Sequence, residues 1–337
     1  MTETSSNPMK ALYKRLSSEG KLRRSYLKKI VLPEWWEDSM AEAESGYAEG
    51  LAYIASHTGL LIDSMVDDRN PLTFPEVEAK YYLGGGNTLN EIKLATELAT
   101  AAAALVAPAV RADYMGISAK ASEIRDEILE KGAACVSFES LLHWCWEKGI
   151  GVLAMTRFPD IPGKMKAMIT YQGKSPVIVL CDGHKYNAWQ LFHLAHEIGH
   201  LALGHVAKNS EWIDAEISAT EIHNDPYAGQ ENAATEFGVE LITGSKIAPF
   251  HSSAKLVAEQ VAAYAKVAGE ENKVDAGFVA LNHGWRNQRL PVSMIALRLM
   301  EEKAEAQRLM QTHLKKNLNS DQISDEALAY LLRLSES

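Results

Sequence analysis

Apolar positions along the chain change period twice, from helical spacing to short strand-like runs and back again. Up to about residue 72 the apolar residues recur at helical spacing, and Gly20, Leu32-Pro33 and Asn70-Pro71 supply the turn signals that break the pattern. Residues 75–148 continue at helical spacing, with Gly84-Gly85-Gly86 as a hinge; no Gly-Lys-Ser/Thr follows it, so it is not a phosphate loop. At Gly149 the texture changes. Residues 151–155, 167–171 and 177–180 are short apolar or β-branched runs set between Pro and Gly, which predicts the strands of a small sheet. Helical spacing returns over residues 187–206, 230–242, 252–268 and 293–314. The expected class is α+β: a helical N-terminal region (1–72), a helical connecting region (73–148), a sheet-bearing core (149–250) and a C-terminal helical region (251–337). No internal repeat is visible.

Within the first stretch, Ala55 stands four residues before Gly59 and the apolar Met65 six after it, the spacing of a helix-turn-helix, where small residues let two helices cross closely. The would-be recognition helix carries Asp63, Asp67 and Asp68, which oppose a phosphate backbone. Two roles stay open for this region: DNA contact, or a helical module that packs or binds a partner.

Composition narrows the classes. In 337 residues, 47% hydrophobic and 23% charged residues describe a chain that folds rather than one that stays disordered. A net charge of -10 excludes a surface built throughout for nucleic acid. One basic segment remains: residues 1–30 hold eight basic side chains against Glu3 and Glu19, either a solvated helix face or a local contact. Cys135, Cys145 and Cys181 are odd in number and include no CxxC pair, which predicts a reducing, cytoplasmic setting rather than a disulfide framework. No signal-peptide core is present, and no apolar run reaches the roughly 18 residues of a membrane span. The nearest, residues 94–110, is interrupted by Thr96, Glu97, Thr100 and Pro108 and reads as a buried helix.

The chemistry concentrates in His196-Glu197-Ile198-Gly199-His200, an HExxH motif inside a predicted helix. Residues four apart on a helix lie about 40° apart around its axis, so both imidazoles leave from one face and can chelate one ion. Zn2+ suits neutral imidazole nitrogen. Glu197, at the edge of that face, is placed to take a proton from water activated at the ion. Chance alone yields this pentapeptide about once in a hundred chains of this size. The apolar body of the helix (Leu191, Leu194, Ala195, Ile198, Leu201, Leu203) adds context; its alternative is a buried helix with two satisfied histidines. A catalytic zinc needs a third protein ligand. Glu231 is the candidate, because Ala233, Ala234, Phe237 and Leu241 can pack on the first helix while Glu231 turns to the metal. Glu236 and Glu240 are runners-up, and an exposed first-turn charge is the plainer reading of Glu231. Thr235, one turn on, is a candidate to hydrogen-bond a ligating imidazole.

Taken together, Pro176-Val177-Ile178-Val179-Leu180, Leu191 to His200, and Glu231 to Phe237 resemble the ImmA/IrrE family of metallo-endopeptidases. The family's second motif runs Glu-x-x-Ala-Asn/Asp-x-Phe-Ala; Glu231, Ala234 and Phe237 match, whereas Thr235 and Gly238 depart from it. The likeness covers roughly residues 149–245 and continues faintly from Pro291 to Leu299. It implies a zincin-like catalytic core beside a helix-turn-helix-like region, and cleavage of a partner repressor or antitoxin in a stress or mobile-element response.

Other residues carry narrower expectations. His205, His223, Tyr227 and His283 are candidate donors to the oxyanion of peptide hydrolysis. Cys181, following the strand before the metal helix, is a candidate inhibitory ligand that would fill the open coordination position. Trp35-Trp36, Trp144 and Trp146 read as packing aromatics. The expected function is a zinc endopeptidase. Its rivals are a DNA- or partner-binding regulator whose metal site is structural or sensory, and a zinc enzyme acting on something other than peptides.

Overall fold

The computed structural model describes residues 7–83, 88–163, 165–215, 227–248, 255–301 and 305–336. Its first part holds α1 (Pro8–Ser18), the short α2 (Arg24–Tyr26) running into a π-helical turn at Leu27–Val31, α3 (Glu44–Thr58) and α4 (Ile62–Val66). Asn7 starts α1 by accepting a hydrogen bond from Met9 N–H at 2.9 Å, and Pro8 occupies a first-turn position where a missing N–H costs nothing. Then follow β1 (Glu78–Tyr82), α5 (Leu89–Val106), α6 (Ala121–Glu130) and α7 (Phe138–Glu147). The central part contains β2 (Gly151–Ala154), β3 (Ala167–Thr170), β4 (Val177–Leu180), α8 (Asn187–Ala202), β5 (Ser210–Asp214) and α9 (Ala228–Thr243). It is followed by α10 (Ala258–Asn272), α11 (Ala276–Arg286), α12 (Leu290–Met300), α13 (Ala306–Asn317) and α14 (Asp325–Arg333).

Mixed α+β architecture is therefore observed, around one five-stranded sheet in the order β1-β5-β3-β4-β2. β4 pairs parallel with β2 and antiparallel with β3, β3 pairs antiparallel with β5, and β5 pairs parallel with β1. The three anticipated strands are β2, β3 and β4. Every residue in them is buried, which requires cover on both faces, and α5 and α8 both lie against β3 and β4.

Two strands depart from expectation. β1 falls in the stretch expected to be helical throughout, and β5 lies where no element was expected. Neither has a clear apolar alternation; each becomes a strand because the other supplies its backbone partners, in register from Glu78 opposite Ser210 to Tyr82 opposite Asp214. The sheet thus draws one edge from before residue 149. The helix expected over residues 293–314 is two helices, α12 and α13.

The helix-turn-helix-like spacing lands on a real turn: Gly59 has φ 79° and ends α3. A Cβ there would come within 3.2 Å of the Ala101 side chain, so close packing on α5 accounts for the small residue. The helix after it has five residues, about 7.5 Å of rise, short of the several turns that a groove-reading helix presents. The triple glycine, residues 84–86, lies outside the described residues.

Buried apolar side chains from Met9 to Leu334 form one contiguous core. Among the described residues a single helical stretch, Leu89–Ala109, is long and apolar enough to cross a membrane, and it is mostly buried inside the fold, as a core helix would be.

Candidate metal centre

α8 gains its start from far along the chain: the Glu301 carboxylate accepts hydrogen bonds from Asn187 N–H at 2.8 Å and Ala188 N–H at 3.4 Å, a cap that the helix's own Tyr186 does not provide. α9 crosses α8 tightly. A Cβ on Gly199 would stand 2.8 Å from the Ala234 carbonyl oxygen, and one on Gly238 would stand 3.1 Å from the His196 nitrogen. Glycine at both helices' contact points brings the first turns of α9 against the HExxH face.

Four side chains converge there, all buried: His196 and His200 from α8, Glu231 from α9, and Asp214 from the end of β5. The two imidazole Nε2 atoms are 3.0 Å apart. His196 Nε2 lies 3.3 Å from Glu231 Oε2 and 3.4 Å from Asp214 Oδ2. His200 Nε2 lies 3.4 Å from Glu231 Oε1 and 3.8 Å from Asp214 Oδ2. Ligand bonds of about 2.0 to 2.1 Å to a tetrahedral ion put neighbouring donors about 3.3 to 3.4 Å apart. The separations to the two imidazoles scatter around that edge length, and with one ligand atom from each residue the four lie within 4.8 Å of one another, so the group could hold one cation.

Each donor is aimed by a further contact. Thr235 Oγ1 is 3.1 Å from His196 Nδ1, and His205 Nδ1 is 3.0 Å from His200 Nδ1, so both Nδ1 atoms are occupied and both Nε2 atoms are left facing the centre. Trp212 Nε1 donates to Asp214 Oδ1 and to Glu231 Oε1, each at 2.8 Å, and its ring lies 4.4 Å from that of His200.

Electrostatics favours a cation as well. Burial drives the Glu197 carboxyl far above its usual range, and the charges of Asp214 and Glu231 push the same way. Burial and Asp214 raise Glu231 to about 8. Burial also disfavours the Asp214 anion, but His196 and His200 outweigh it and hold that carboxyl below its ordinary value. His196 is disfavoured as a cation by burial, yet Asp214 and Glu231 lift it to about 9. His200 is kept neutral by burial. Three carboxyls thus share a dry space with one imidazolium. Both oxygens of Glu197 and Oδ2 of Asp214 are buried without a hydrogen-bond partner, the 3.4 Å approach of His196 lacking hydrogen-bond geometry. Buried carboxylate oxygens in that condition fit a cation at the centre.

Of the residues singled out from sequence, His196, His200, Glu231 and Thr235 come together and Glu197 lies beside them. The runners-up Glu236 and Glu240 instead line a separate pocket of about 310 Å³ with Phe237 and Leu203. His205 supports His200 and also accepts a hydrogen bond from Lys80 Nζ through its carbonyl at 3.1 Å, so its place is behind a donor rather than at the reacting face. Tyr227 packs edge-on against Trp212 at 5.3 Å, and His283 is buried on α11. His223 lies outside the described residues. Cys181 is not a member of this group: its thiol approaches Val179 O at 3.8 Å, and burial with Glu197 nearby raises its pKa. Asp214 and Trp212 were missed, because nothing in Ser210-Glu211-Trp212-Ile213-Asp214 marks a strand that ends beside this group. Asp214 is one of two aspartates, with Asp225, between the motif and Glu231, so residue type alone did not single it out.

No protein-family model matches the chain, and neither a curated protein nor a solved structure matches it.

Proposed function

We propose that the chain is a zinc-dependent endopeptidase with a zincin-like core of the ImmA/IrrE kind. The observation that carries this is the meeting of two HExxH imidazoles and a carboxylate from the following helix, with Glu197 buried and unpartnered beside them. Nitrogen and oxygen donors at tetrahedral spacing suit Zn2+, and His196, His200 and Glu231 would hold it. Bound there, the ion would supply Lewis acidity to a peptide carbonyl and make water acidic enough to be deprotonated near neutrality.

The chain's own residues supply the rest. Glu197 takes the proton from the attacking water and delivers it to the leaving amine; its raised proton affinity suits it to carry that proton between the two steps. Thr235 and His205 hold the imidazoles in the tautomer whose Nε2 lone pairs face inward. The resemblance points to a protein substrate of the repressor or antitoxin type, and the three unpaired cysteines favour a cytoplasmic setting.

Glu197→Gln is expected to retain metal at the wild-type ratio and to lose cleavage by at least about 10²-fold. Metal analysis and a protease assay on the purified chain, or co-expression with the product of an adjacent gene, check it; a variant that still cleaves removes the assignment.

A second reading is favoured by one observation, the fourth donor Asp214. Four protein donors are how structural zinc is held, so the site would then serve a partner- or DNA-binding regulator. Salt-dependent duplex binding that persists in Glu197→Gln would favour it.

A further inference from the structure

Asp214 reaches the cluster from the sheet rather than from either helix. Its main chain is clamped on both sides: its carbonyl accepts from Lys166 N–H at 2.7 Å, and Ala215 N–H donates to Tyr82 O at 3.0 Å. In register it stands between Ala167 of β3 and Tyr82 of β1. The backbone is therefore fixed, and only the side chain can turn. Trp212 holds Oδ1, which leaves Oδ2 fully buried and unpartnered at 3.4 Å and 3.8 Å from the two imidazoles.

Hydrolytic zinc centres keep three protein donors and one position free, whereas structural centres fill all four. Beside His196, His200 and Glu231, Asp214 is the fourth member of the group, its ligand atom within 4.8 Å of each of the others. We propose that Asp214 is an inhibitory fourth ligand, which keeps the centre closed until its carboxylate turns aside and frees the position that hydrolysis needs. The proposal rests on the peptidase reading and adds the regulation of that site. One feature makes the closed arrangement releasable. A rotation about the Asp214 side-chain bonds withdraws Oδ2 without breaking any strand pairing, at the cost of the single bond from Trp212.

Cobalt(II)-substituted full-length chain provides the test, read by visible absorption with acetohydroxamate as the probe of a free coordination position. Wild-type protein should bind one equivalent of cobalt with a spectrum that acetohydroxamate leaves unchanged. Asp214→Ala should keep one equivalent and bind acetohydroxamate at least about tenfold more tightly, since three protein donors suffice to hold a catalytic ion. A wild-type spectrum that acetohydroxamate shifts as readily as the variant's overturns the proposal, as does loss of cobalt from an Asp214→Ala chain whose circular dichroism is unchanged. If that variant does not fold, the wild-type titration decides alone: a perturbed spectrum refutes closure and an unperturbed one supports it. A wild-type chain that takes up no cobalt removes the metallopeptidase reading together with this proposal, whereas the other failures leave that reading standing.

Discussion

Trp212 shows how much one side chain can organise. A single indole N–H bonds carboxylates from two different elements, Asp214 of β5 and Glu231 of α9, while the ring face lies on His200. Replacing it by Phe keeps an aromatic ring in the buried space and removes only the donor. Trp212→Phe is therefore expected to fold, and to bind metal about 10- to 100-fold more weakly, since contacts that orient ligands have that weight. Competition with a chromophoric chelator measures it; unchanged affinity would mean that the carboxylates orient themselves. At this scale the HExxH motif and Glu231 were legible because residue type and helical spacing encode them locally. Trp212 and Asp214 were not, because an indole N–H or a carboxylate acquires a role only from what folding sets opposite it.

The crossing of α8 and α9 sets the distance between Glu231 and the two histidines. Gly199 is the tightest point, since an added Cβ would meet the Ala234 carbonyl at 2.8 Å, and a carbonyl inside a helix cannot move alone. Gly199→Ala should force the helices apart, destabilising the chain by about 1–3 kcal/mol and weakening metal binding. Gly229→Ala, also on α9, has nothing within 4 Å of its added Cβ and serves as the neutral control. Urea denaturation of the two metal-free variants separates them; equal midpoints would contradict the packing account. Gly238 departs from the resembled family's alanine at the other close point, 3.1 Å from His196 N, where the crossing itself accounts for the smaller residue. Helices were readable from their apolar period, as were the fully buried strands β2 to β4. β1 and β5 were not, since a mutual pairing between segments more than a hundred residues apart leaves no periodic trace in either.

At the scale of the molecule the two ends of the described chain are joined. Tyr330 of α14 stacks on His57 of α3 with ring centroids 4.1 Å apart, and Arg333 donates to Ile30 O at 3.1 Å and Leu32 O at 3.2 Å. Burial lowers the His57 pKa from 6.5 to about 4, with the nearby Arg333 charge adding to the effect and the bond to Val31 O opposing it. The unfolded chain then takes up a proton near pH 6.5 that the folded chain refuses until about pH 4. Stability from this group is complete above pH 6.5 and is lost as pH falls toward 4. His57→Gln, which cannot titrate, should lose less stability than wild type between pH 7 and 4.5, by on the order of 2 kcal/mol. Parallel unfolding curves across that range would reject the assignment.

Sequence alone carried the candidate donors of α8 and α9, the three fully buried strands β2, β3 and β4 and the α+β class, because helical period, strand burial and motif spacing are short-range properties of a chain. Folding added Asp214 to the candidate metal group, the indole that bonds two carboxylates, the cap that Glu301 gives α8 and the seam between α3 and α14. Each of those joins residues distant in the chain, and no local pattern can state which distant partner a strand end, an N–H or a ring will meet.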